Sequence, residues 1–160
     1  MNRGFYIIMA AQFFSALADN ALLIAAISML RDIQSPAQYE PLLKLFFTVS
    51  YVALAAFVGA FADSMAKGRV MLISNTIKIA GCFMMLVATV PVLDLLGIPI
   101  YYYVLLSYAI VGLGAAAYSP AKYGILTEYL PHDKLVVANG WIEGLTVAAI
   151  ILGTVLGGIL

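Results

Sequence analysis

The sequence predicts an all-α integral membrane protein with about five transmembrane helices, and three observations carry that prediction. Hydrophobic residues make up 64% of the 160 residues and charged residues only 10%, whereas in soluble domains about a quarter of the residues are charged. Mean hydropathy is +1.05. The apolar residues are gathered into long runs separated by short polar connections, and no run shows the period-two alternation of a barrel strand. Hydrocarbon offers no partner to backbone N–H and C=O groups, so runs of this length are expected to cross as helices, over about 4–30, 42–62, 70–92, 100–130 and 135–160.

Bulk charge excludes some functions. Lys plus Arg and Asp plus Glu balance at eight each, so nothing in the net charge favours a nucleic-acid partner. Cys82 is the single cysteine, which rules out an internal disulfide and a thiolate metal cluster. No metal or other cofactor is expected.

The first run begins behind Arg3 and is too long for a secretory signal, whose apolar region is about 7 to 15 residues. It is expected to remain as a helix spanning a hydrocarbon core of roughly 30 Å. Asp19 and Asn20 lie in its middle, within FFSALADNALL. A carboxylate at that depth costs roughly 2.5 to 3.5 kcal/mol, so it is expected to face the bundle interior or a watery cavity. Gln12, Ser15 and Asp19 share one helical face. Such a seam either glues helices together or lines a site for a substrate or ion.

RDIQSPAQYEP, with two prolines, reads as the loop before the second helix, and DSMAKGR as the loop before the third. A stretch around Asp94, Gly97 and Pro99 leads to the fourth, and EYLPHDK to the fifth. Connections this short suggest that consecutive helices are antiparallel neighbours. Arg3, Lys67, Arg69 and Lys134 fall at the start and in the second and fourth connections, while Arg31 and Lys44 flank the first. That excess puts the N-terminus and those two connections in the cytoplasm.

The third helix carries Ser74, Asn75 and Lys78, and Lys78 either snorkels to the cytoplasmic end or serves a cavity. Tyr101 to Tyr103 at the start of the fourth helix read as an interfacial belt. Farther on, Gly112, Gly114 and the alanines from Ala115 invite close approach of a neighbour, and Pro120 is expected to kink or interrupt the helix. Lys122 and Tyr123 follow, at membrane depth or at the cytoplasmic edge. In the fifth helix Asn139, Glu143, Thr146 and Ile150 share a face, and Glu143 is placed to pair with Lys122 or Lys78. One small-residue row, Gly140, Gly144 and Ala148, and another, Ala149, Gly153 and Gly157, imply tight contacts with two neighbours. The sequence stops at Leu160 inside an apolar run, so a longer parent fold is expected.

At GAFADSMAKGR the spacing of Gly59, Asp63, Lys67 and Arg69 resembles the cytoplasmic loop between the second and third helices of the major facilitator superfamily. The resemblance implies a latch in which the aspartate caps a helix N-terminus and the basic residues meet acidic groups and anionic lipid. Ser64 replaces that loop's usual arginine and Ala66 its usual glycine. Tyr108 stands where the proton-coupled members carry an arginine, and Gly158 where the antiporters carry a proline.

AQFFSALADNALL, GAFADSMAKGRVM, GAAAYSPAKYGIL and KLVVANGWIEG resemble the bacterial lysophospholipid transporters, a branch of that superfamily. The resemblance implies the N-terminal half-bundle of a 12-helix fold, without its sixth helix and C-terminal half. It also implies transport of lysophospholipids such as lysophosphatidylethanolamine across the inner membrane to the cytoplasmic leaflet, and a functional link to a cytoplasmic acyltransferase that reacylates them. On that reading Asp19 and Asn20 receive the headgroup ammonium, Lys122 and Tyr123 the phosphate, and Glu143 tunes Lys122. The alternatives are an exporter of drugs or amphipathic solutes, with Asp19 as cation or proton site, and a fragment with no transport of its own. No catalytic residues are expected: His132 is the only histidine, and no acidic residue follows it at the spacing of the acyltransferase signature.

Overall fold

The computed structural model describes residues 3–90 and 97–159, except the side chain of Ala55. Asp94 of the third connection, residues 91 and 92 at the end of the third apolar run and Leu160 lie outside the described residues. Among the described residues there are five α-helices: α1 (Arg3–Asp32), α2 (Tyr39–Asp63), α3 (Lys67–Val87), α4 (Ile100–Tyr129) and α5 (Leu135–Gly157), with a short 3-10 turn at His132–Lys134. Four pass as membrane spans on length and hydropathy, and α2 is a fifth if its parts Tyr39–Leu54 and Ala56–Asp63, inclined at 61°, form one span. Large apolar side chains such as Ile7, Val52, Phe57, Leu72 and Val136 point outward, which suits a surface solvated by lipid.

Of the consecutive helices only α3 and α4 pack extensively, so the expectation from short connections holds for that pair and fails for the others. Helix α4 is the hub, flanked by α2 and α3, and α5 lies chiefly on α1. The reason lies in where side chains are small enough to let backbones meet. A Cβ added to Gly112 would sit 3.1 Å from Phe47 Cα on α2, and one on Gly114 would sit 2.7 Å from the Ser74 carbonyl oxygen on α3. The same holds for Gly153, whose missing Cβ would come within 2.5 Å of the Leu17 carbonyl oxygen on α1, and for Gly157 against Ala21. Only glycine permits such approach. The other α5 row is a correction: a Cβ on Gly140 or Gly144 would meet nothing within 4 Å among the described residues, so one row packs, not two.

Pro120 neither interrupts nor ends α4, which runs through it to Tyr129. Proline lacks the N–H that would bond the Ala116 carbonyl, and Ala116 is buried among neighbouring helices rather than facing lipid. At the far end Tyr39 of α2 packs against Tyr101 of α4, with ring centroids 4.3 Å apart and the planes inclined at 38°. Arg31 and Glu40 form a two-pronged bridge of 2.9 and 3.0 Å across the first connection.

Two apolar clusters close the bundle at its ends. Phe5, Met9, Val70, Ile125 and Ile142 gather at the end that holds the N-terminus. Leu30, Leu43, Met85, Val104 and Val111 gather at the other. The polar residues of α1 fall between them.

Candidate functional site

Between the two clusters lies a cavity of about 460 Å³ to which all five helices contribute. Helix α1 presents Gln12, Ser15, Asp19 and Asn20 to it, so the polar face read from the sequence is the cavity wall. Lys44 of α2, Lys78 of α3, Lys122 and Tyr118 of α4 and Thr146 of α5 complete the polar lining.

Asp19 is already engaged. Lys78 Nζ donates to its carboxylate at 2.6 Å and to Ser15 Oγ at 2.9 Å, and lies 4.9 Å from the centre of the Tyr118 ring. Ser15 in turn donates to Asn75 Oδ1 at 3.2 Å. Lys78 therefore does not snorkel: its side chain is 9% exposed and turned inward. Burial makes an uncompensated ammonium costly, and Asp19 is the carboxylate within reach. Asn20, also on the cavity wall, donates to the Ala16 carbonyl of its own helix at 2.8 Å.

The second group of expected site residues forms a separate cluster. Lys122 Nζ donates to Thr146 Oγ1 at 3.0 Å, lies 3.6 Å from Glu143 Oε1 and approaches the Tyr123 ring at 5.1 Å. The Tyr123 hydroxyl donates to Glu143 at 2.6 Å. Of the two lysines open to Glu143 on sequence grounds, Lys122 is its partner. Tyr123 and Glu143 are exposed and stand outside the cavity wall. Sequence reasoning did not name Lys44, Gln12 and Tyr118 as site residues, although Gln12 already shared a face with Asp19, and it left Lys78 open between snorkelling and a cavity role.

The loop motif folds onto itself. Lys67 Nζ sits 2.5 Å from Asp63 Oδ1 and 2.8 Å from the Ala62 carbonyl oxygen. Asp63 does not cap α3, whose N-cap residue Ala66 has no side-chain cap bond; the four-residue spacing puts Lys67 within easier reach. A Cβ on Gly59 would meet nothing within 4 Å among the described residues, while Gly124 lies under the Lys67 stem. No group of three or more His, Cys, Asp or Glu side chains suited to a metal occurs among the described residues.

Comparison with known proteins bears directly on this arrangement. The chain is 46% identical over its full length to the lysophospholipid transporter LplT of Yersinia enterocolitica, of which it spans 36%. It is 44% identical, with the same coverage, to the LplT proteins of Yersinia pestis and Yersinia pseudotuberculosis. The chain thus spans about a third of the length of the curated relatives it matches. No solved structure matches it. The family model described as Major Facilitator Superfamily matches residues 8–160, and with the apolar multi-pass bundle and its central polar cavity this places the chain in the Major Facilitator Superfamily.

Proposed function

We propose that this chain forms the cargo-binding half-bundle of a lysophospholipid transporter. It moves lysophospholipids such as lysophosphatidylethanolamine across the bacterial inner membrane to the cytoplasmic leaflet, where a cytoplasmic acyltransferase reacylates them. The N-terminus lies in the cytoplasm. The observation that carries the reading is the charge of the cavity: Lys44, Lys78 and Lys122 line it against one carboxylate, Asp19. A wall with that excess of ammonium groups attracts a phosphate and disfavours a cationic solute. The name of the relatives agrees with it. Asp19 and Asn20 take the headgroup ammonium. Lys122, with Tyr123 beside it, takes the phosphate as the cavity turns inward, and Glu143 tunes Lys122. The acyl tail stays in or near lipid, and rocking against a second half supplies alternating access.

The test is uptake of labelled lysophosphatidylethanolamine by spheroplasts that lack their own transporter and express the full-length gene product, beside Asp19→Ala and Lys122→Ala variants at matched membrane levels. Uptake by the wild type and loss in both variants is expected. Loss in neither returns both residues to packing roles, and no uptake by the well-expressed wild type overturns the lipid reading.

A further inference from the structure

Three side chains on the wall between α1, α3 and α4 keep hydrogen-bond donors without a partner among the described residues. Lys78 has three N–H donors and uses two, on Asp19 and Ser15. The Gln12 amide nitrogen and the Tyr118 hydroxyl are buried without a hydrogen-bond partner among the described residues. The nearby Ser15 hydroxyl accepts from Lys78 and donates to Asn75, and makes no hydrogen bond to Tyr118. Gln12 lies one turn before Ser15 on the cavity face of α1, and Tyr118 lies beneath the Lys78 ammonium. Buried polar groups are paired in the great majority of cases, so two orphans on the wall of one cavity, beside one ammonium, call for an acceptor-rich ligand.

We infer that Gln12, Tyr118 and Lys78 form a phosphate seat at the level of Asp19, and that Asp19 is the stand-in anion that holds Lys78 until cargo arrives. The inference rests on the lysophospholipid reading and adds a first station to it, ahead of Lys122. The phosphodiester of the headgroup takes over Lys78 and receives the orphan donors of Gln12 and Tyr118. Asp19, released from Lys78, then faces the rest of the headgroup and pairs with an ammonium where the cargo has one. Exchange of partners keeps Lys78 compensated throughout, which lowers the barrier to loading in a medium of low dielectric constant. The phosphodiester is common to lysophospholipids, so the seat does not depend on what the phosphate carries.

The experiment compares wild type, Tyr118→Phe and Gln12→Leu in the full-length gene product. Each change removes a donor that has no partner in the folded protein, so thermal unfolding in detergent is expected at the wild-type temperature or above it. Uptake is measured for labelled lysophosphatidylethanolamine and lysophosphatidylglycerol. The expected result is an apparent KM raised roughly tenfold in each variant, by the same factor for both lipids, as for loss of a hydrogen bond to a charged group. Wild-type uptake with unchanged KM in both variants overturns the seat and leaves the lysophospholipid reading standing. A rise confined to the ethanolamine lipid overturns the phosphate assignment. Failure of the wild type to take up either lipid overturns the reading beneath it.

Discussion

Two ion pairs of similar composition differ in consequence because of where they lie. Asp19 and Lys78 meet at 2.6 Å with side-chain exposures of 23% and 9%, while Lys122 and Glu143 stand 3.6 Å apart with Glu143 56% exposed. Removing one member of a buried pair strands the other charge and costs about 3 to 5 kcal/mol, whereas an exposed pair is worth about 1 kcal/mol at most. Lys78→Ala is therefore expected to lower the unfolding temperature in detergent sharply, and Glu143→Gln to leave it nearly unchanged. A Lys78→Ala protein as stable as wild type would mean that water reaches Asp19 and solvates it. Asp19 was legible as a costly carboxylate from its place in an apolar run. Its partner was not, because Lys78 sits 59 residues away and nothing local distinguishes a snorkelling lysine from an inward one.

The decisive feature among the elements is which glycines touch a neighbour. Gly153 and Gly157 lie against the α1 backbone, and Gly140 and Gly144 lie against nothing among the described residues. Gly153→Val has to push α5 off α1 and is expected to destabilise by about 1 to 3 kcal/mol, as overpacking does. Gly140→Ala removes a helix-weakening residue without a clash and is expected to be neutral or to stabilise by up to about 1 kcal/mol. Parallel thermal melts of the two variants check this, and equal losses would place a neighbour over both rows. The sequence displayed both rows alike, since spacing of three or four residues marks a face without naming what covers it. Pro120 teaches the same lesson: its chemistry frees one carbonyl, but whether the helix breaks depends on the helices packed around it.

Orientation is a property of the molecule as a whole. The proposed cytoplasmic N-terminus requires the connection after α2 to lie inside and the one after α1 outside. In a Cys82→Ser background, cysteine placed at Ser64 is expected to resist a membrane-impermeant maleimide added to intact spheroplasts, and cysteine at Ser35 to react. The opposite pattern would invert the assignment. Cys82 needs replacing first because it is exposed.

Composition and apolar run length determined the membrane class, the helical form and the polar face of α1, because hydrocarbon penalises unpaired backbone and charge wherever the chain crosses it. Short motifs were enough to point to the superfamily. The tertiary structure decided which helices are neighbours: α4 at the hub, α5 on α1, and the three lysines brought to one cavity wall. These outcomes depend on backbone approach between segments distant in the chain. Helix propensity and hydropathy are properties of single segments, whereas the pairing of Asp19 with Lys78 exists only once α1 and α3 share a cavity.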